Sequence, residues 1–281
     1  YFELLCAPPV GTHIWRQTDS VSFAWCYWKN GLDFFHPQIL NRSFGNGYAV
    51  SEFPVLQYII AILYSVFGFH WWISKAVYIF IYFSGLAALF KIANFYIKKI
   101  FWSFFIARLF FTAPSLEFYS NSSIPDPAAL SFSFIGLSLF LSYQEKDKKY
   151  FYWLSMLFFC LAGLMKITYL LLFFSAFSAW FLLPSSDMPS RITFLKKHAG
   201  YILIIIAVNL LWYVWSDNYN RLNDHIYFLN KINPVWNEST QKGYIFKRTI
   251  TEWALRFFSA PTNYLFLFSL LLVPFGWKKG S

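Results

Sequence analysis

The chain is dominated by apolar runs of 15 to 21 residues separated by short polar stretches. They fall at 54–69, 72–92, 100–119, 127–143, 151–165, 167–183, 200–216 and 263–277. None alternates with a period of two, which excludes a lipid-facing barrel. Helices are the other way to satisfy a backbone in hydrocarbon. The expected fold is therefore all-α, a polytopic transmembrane helical bundle with interfacial helices on its outer face.

Composition supports this reading. Only 13% of residues are charged and 58% are hydrophobic, whereas soluble domains carry about 25% charged residues. The net charge is +10. In a soluble protein that balance would point to nucleic acid. Here it reads as basic loops on the cytoplasmic side of a membrane, with no nucleic-acid partner. No CxxC or Cys/His spacing marks a metal site. A bridge between Cys6 and Cys26 is possible, and two free thiols are the simpler reading.

Basic clusters set the orientation. Lys98 and Lys99, then Lys146, Lys148 and Lys149, then Arg191, Lys196 and Lys197, and finally Lys278 and Lys279 follow successive runs. Placing them in the cytoplasm puts 1–53, 114–126 and 217–262 on the opposite face. Two conditions follow. The run 54–69 rises only about 24 Å, short of a hydrocarbon core of about 30 Å, so it lies on the outer interface. The stretch 151–183 breaks near Lys166, since one continuous helix would hold that charge at mid-membrane.

The organisation expected is one transmembrane domain over 1–281. It has an outer loop with interfacial helices (1–71), a helix bundle (72–216), an outer loop (217–262) and a last helix (263–281). Pro114 is expected to kink the run 100–119 near its outer end. Arg108 either snorkels to the cytoplasmic interface or pairs inside the bundle. Phe246, Ile250, Trp253 and Phe257 share a face, so 244–258 reads as a surface helix.

On this topology Arg16, Asp19, Glu52, Asp126 and Lys166 all face the outer side. Each has a plain structural reading. Asp19 could cap a helix over 20–30, and Glu52 or Ser51 could cap the interfacial helix. Asp126 before Pro127 could open a helix. Lys166 could be an interfacial anchor, and Arg16 could hold lipid head groups. No GxxxxGK[ST] or GxGxxG appears.

The order of WRQTD, NGLDFFHP, SEFPVLQYIIAILYSVFG, YSNSSIPDP and GLMK resembles that of bacterial glycosyltransferase family 39 proteins. These are C-type membrane glycosyltransferases, related to the protein O-mannosyltransferases and the lipid A aminoarabinose transferase. The resemblance covers about residues 11–183. It implies a polyprenyl-phosphate-linked sugar donor and transfer with inversion to a hydroxyl of a lipid, glycan or protein acceptor. It also implies a bacterial inner membrane with the site on its periplasmic face.

By the same resemblance Asp19 is the essential Asp of the first outer loop. Glu52, Asp126 and Lys166 match the later acidic and basic positions. We expect Asp19 as base with Asp126 assisting, and Arg16 and Lys166 on the donor phosphate. Glu52 is expected to bind a divalent cation or orient Arg16. Two positions depart from the family pattern: Ser20 follows Asp19 where many relatives have Glu, and Phe53 replaces the Lys of a Glu-Lys-Pro-Pro element. Relatives begin with a further helix and continue past the last one here, so the chain reads as a piece of a longer protein. The competing class is a non-enzymatic transporter or flippase of lipid-linked sugars. It fits the hydrophobicity equally well but does not account for three acids and a lysine on one face.

Overall fold

The computed structural model describes residues 2–42, 46–182, 188–224 and 242–248, with the isolated positions 251, 264 and 268. The chain divides into two compact units. The larger holds Tyr1–Arg108 and Tyr119–Asn230, and the smaller holds Leu109–Phe118 and Lys231–Ser281.

The described residues are helical, with one isolated bridge between Gln38 and Tyr48 and no strand. The elements are α1 (Phe2–Cys6), α2 (Ile14–Asn30), α3 (Val55–Phe67), α4 (Trp71–Ile97), α5 (Ile100–Phe111), α6 (Pro114–Ser120), α7 (Pro125–Lys146), α8 (Lys149–Met165), α9 (Leu170–Leu182), α10 (Met188–Leu222) and α11 (Lys242–Arg248). Among the described residues three segments are long and apolar enough to cross a membrane: α4, α7 and Lys196–Leu222 within α10. The 27 residues of α4 rise about 40 Å and the 22 of α7 about 33 Å. Helices α5, α8 and α9 are shorter.

Helix α7 is the centre of the larger unit. Of its membrane-length window 61% is buried, against 33% for α4 and 17% for the α10 span. Small residues make this position accessible. A Cβ on Gly85 of α4 would lie 2.7 Å from the Ser131 Cα of α7, so only glycine lets the two backbones come so close. Gly136 of α7 packs on the Phe159 ring of α8. The Ser155 hydroxyl donates 2.7 Å to the Gly136 carbonyl.

Two apolar cores fill the unit. One joins Leu56, Ile60 and Tyr64 of α3 to Ile73 and Tyr78 of α4 and to Ala128 and Phe132 of α7. The other is largely aromatic, with Phe140, Tyr152, Phe159, Phe173 and Phe177. His198 contacts this second core through the Tyr152 hydroxyl, 2.5 Å from its Nδ1.

Several expectations change. Asp19 does not cap a helix, because α2 starts earlier, at Ile14, and encloses it. Neither Ser51 nor Glu52 caps α3. Pro54 occupies that position with no side-chain cap, and the two side chains bond each other instead. The run 100–119 is not kinked at Pro114. It is cut at Thr112 and Ala113, and Pro114 opens α6, where its missing N–H costs nothing. Arg191, Lys196 and Lys197 lie inside α10, which begins well before the apolar run and extends to Leu222. One expectation does not change: Cys6 and Cys26 are both free, the simpler of the two readings.

The 13 residues of α3 are too few to cross a membrane, about 20 Å of helix. The stretch after α8 does break at Lys166, whose extended backbone (φ −161°, ψ 116°) is followed by one 3-10 turn over Ile167–Tyr169. Most of the expected surface helix over 244–258 and of the last apolar run lies outside the described residues.

Candidate functional site

Helix α2 carries the first two candidates one turn apart. Arg16 and Asp19 are separated by three positions, which places them on one face. The Arg16 guanidinium is nevertheless turned away to an ion pair with Glu52, from the loop before α3. Glu52 is held on both carboxylate oxygens, by Arg16 on one and by the Ser51 hydroxyl on the other.

Asp19 is therefore left without a charge partner at hydrogen-bond distance. Its residue is 8% exposed. Its Oδ2 is fully enclosed and has no hydrogen-bond partner among the described residues. Burial alone pushes its carboxyl up to about 6 from the ordinary 3.8. An unsatisfied buried carboxylate costs free energy, and such groups concentrate where a ligand later satisfies them.

A small cavity of about 10 Å³, room for about one water, lies against this carboxylate. Arg16, Asp19, Ser20, Glu52, Gln57 and Pro125 are among its lining residues. The Gln57 amide donates 3.0 Å to the Ser20 hydroxyl, and the Gln57 Oε1 is enclosed and unpartnered. Pro125 brings in the first turn of α7, whose next residue is Asp126. Asp126 forms an ion pair with Lys166 from the break after α8. The second Asp126 oxygen is enclosed and unpartnered. Arg16 feels the charges of both Glu52 and Asp126.

The structure thus brings Arg16, Asp19 and Glu52 to one pocket, while the Asp126–Lys166 pair lies outside its lining, next in sequence to Pro125. Both cations keep donors to spare. Each is tied to one carboxylate, while a guanidinium has five N–H donors and an ammonium three. The Arg16 and Lys166 side chains are 32% and 35% exposed.

Glu52 already accepts from Arg16 on one oxygen and from Ser51 on the other, which suits it to orient Arg16. Among the described residues no three His, Cys, Asp or Glu side chains gather as a metal-ligand set. The donor set does not fit the divalent cation considered from the sequence, and no chemistry is derived through one.

One functional contact was not foreseen. Asn220, near the end of α10, closes a two-bond clamp on Val50. Its Oδ1 accepts from the Val50 N–H at 2.8 Å and its Nδ2 donates to the Val50 carbonyl at 2.9 Å. The Phe53 N–H donates 3.2 Å to the Leu164 carbonyl. These bonds anchor the Glu52 loop on both sides. Asn220 lies past an apolar run between Asn218 and Asn223, so residue type did not single it out, and its partner, being backbone, leaves no trace in sequence.

Comparison of the chain with protein-family models, with curated proteins and with solved structures finds no match.

Proposed function

We propose that the chain is a membrane glycosyltransferase, moving a sugar from a polyprenyl-phosphate donor to an acceptor hydroxyl on the non-cytoplasmic face of a bacterial inner membrane. It would be built as a polytopic helical bundle of the family 39 type. The observation that carries this reading is the Asp19 carboxylate. One of its oxygens is enclosed and unpartnered among the described residues, burial raises it toward neutrality, and it lines a pocket with the partly exposed Arg16.

The chemistry follows from that arrangement. The acceptor O–H donates to Asp19, which takes the proton as the oxygen attacks the anomeric carbon. The bond from that carbon to the phosphate oxygen breaks, and its electron pair leaves with the polyprenyl phosphate. Arg16 and Lys166 face the charge that develops there. Attack opposite to departure inverts the anomeric centre. Asp126 holds Lys166, and Glu52 holds Arg16, so each cation is oriented before donor arrives.

The test is transfer from a radiolabelled undecaprenyl-phosphate sugar in membranes carrying the full-length protein. Label should move to an acceptor with the wild type and stay on lipid with Asp19→Asn. Equal transfer by the Asn variant refutes the assignment. Movement of intact labelled lipid across the bilayer, without cleavage, would place the chain among transporters instead.

A further inference from the structure

A second pocket lies beside the first, and the two share both principal walls. Arg16, Ser20 and Phe23 of α2 line the first pocket, and Tyr27 and Asn30 line the second. These positions advance by four, three, four and three, the stripe of a single helical face. Ser20 and Tyr27 are about 10 Å apart along the axis. The opposite wall is continuous too: Tyr48 lines the second pocket, and Val50 to Glu52 line the first. Phe23, at the edge of the first pocket, packs together with Ile39 and with Ala49, which precedes Val50 on the opposite wall.

The second pocket encloses about 220 Å³, below the size of clefts that take drug-sized ligands and suited to one small ring. Its functional groups are Tyr27, Asn30, Asp33, His36, Gln38 and Tyr48. Asp33 pairs with the His36 Nδ1 at 2.7 Å, and the Asn30 amide donates 2.6 Å to Gln38. The chemistry is two carboxamides, a carboxylate with its imidazole, and phenol rings. Arg42 lies close to Cys26, near enough to act on its thiol. No cation lines the pocket apart from the His36 ring when protonated, and Asp33 disfavours an anionic ligand. Planar amides and a carboxylate beside aromatic rings are groups that match hydroxyls on a ring with an apolar face.

The walls are fixed in advance. Tyr58 donates 2.9 Å to the Leu32 carbonyl, Tyr27 donates 2.9 Å to that of Phe34, and Tyr219 donates 3.2 Å to that of Pro37. The Ile39 N–H donates 2.8 Å to the Gly47 carbonyl and closes the bridge that holds Gln38 opposite Tyr48. Three tyrosine hydroxyls on three different helices thus set one six-residue loop. A loop ordered beforehand loses little entropy when a ligand arrives.

We infer that this pocket is a carbohydrate subsite, which holds a hydroxyl-bearing sugar unit of the acceptor about two helical turns from Asp19. Its role as an acceptor subsite rests on the glycosyltransferase reading above; its capacity to bind a sugar does not.

The experiment measures saccharide binding without donor. Saturation-transfer NMR is run on the full chain in detergent, with glucose, mannose, N-acetylglucosamine and their disaccharides as probes. At least one probe should bind the wild type and Asp19→Asn alike. Tyr48→Ala and Gln38→Ala should each weaken it about tenfold, the loss expected from one good contact to a bound ligand. Retained thermal unfolding of both variants excludes collapse of the loop. Absence of binding by every probe, or binding unchanged in both variants, overturns the subsite. Sugar binding that follows this pattern in a protein that never cleaves the labelled donor upholds the subsite and refutes the transferase reading.

Discussion

Lys166 and Asp126, 40 residues apart in sequence, meet in an ion pair that joins the break after α8 to the first turn of α7. The break is what allows it. A continuous helix through residue 166 would carry the ammonium on along the bundle, whereas the extended backbone there turns it to the helix start.

The pair should behave as one unit. Lys166→Met and Asp126→Asn singly leave a half-buried polar partner uncompensated, and the double variant removes both. A double-mutant cycle on thermal unfolding in detergent should give a coupling of about 1 kcal/mol, since both side chains are partly exposed. In the transfer assay Lys166→Met should raise the donor KM more than the acceptor KM.

Asp19 sets a pH dependence with a defined sign. Its folded-state value of about 6 lies above the ordinary 3.8, so the folded chain binds the proton more tightly than the unfolded chain. The stability this contributes is full below about pH 3.8 and is lost as pH rises through about 6. Relative to Asp19→Asn, the wild type should therefore lose unfolding temperature between pH 4 and 7. Transfer should run the other way, falling on the acid side of about pH 6 as the base becomes protonated.

Asn220→Ala removes both bonds to Val50 and leaves the buried peptide group unpaired, at a cost of roughly 2 kcal/mol. Because that clamp positions the Glu52 loop, which orients Arg16, kcat should fall and the donor KM should rise. Steady-state kinetics beside an unfolding curve separate the two effects, and Asn220→Gln should not restore the rate, being one methylene too long for the two-bond geometry.

Gly85→Ala should loosen the α4–α7 contact. Its new Cβ would run into the Ser131 hydroxyl and lie 2.7 Å from the Ser131 Cα. Overpacking of this kind costs about 1–3 kcal/mol. Ser131→Gly in the same chain should recover only part of that, because the backbone clash remains. Unfolding temperatures of the two variants against wild type provide the measurement.

Much of the helical organisation was legible locally. The length of α3 followed from counting apolar residues, and the break at Lys166 from the cost of a charge in hydrocarbon. Helix limits were less legible. Asp19 read as a cap because polar residues precede it, yet α2 continues through Arg16 and Gln17. Gln17 donates to the Val10 and Thr12 carbonyls, so a polar turn is tied down by contacts that a hydrophobic pattern does not register. The basic residues of α10 misled in the same way, since charge marks where a helix leaves the apolar layer and not where it ends.

The sequence by itself determined that this chain is helical and apolar, because both properties depend on neighbours in the chain and on the cost of exposing backbone. It also supplied five ionisable candidates. Their pairing was decided only by tertiary structure. Glu52 takes Arg16, Asp126 takes Lys166 and Asp19 is left alone, an outcome set by which helices pack on α7 and where the Asn220 clamp holds the Glu52 loop. Spacing along the chain fixes which face a residue shares with its helical neighbours; only packing fixes which opposite charge it meets.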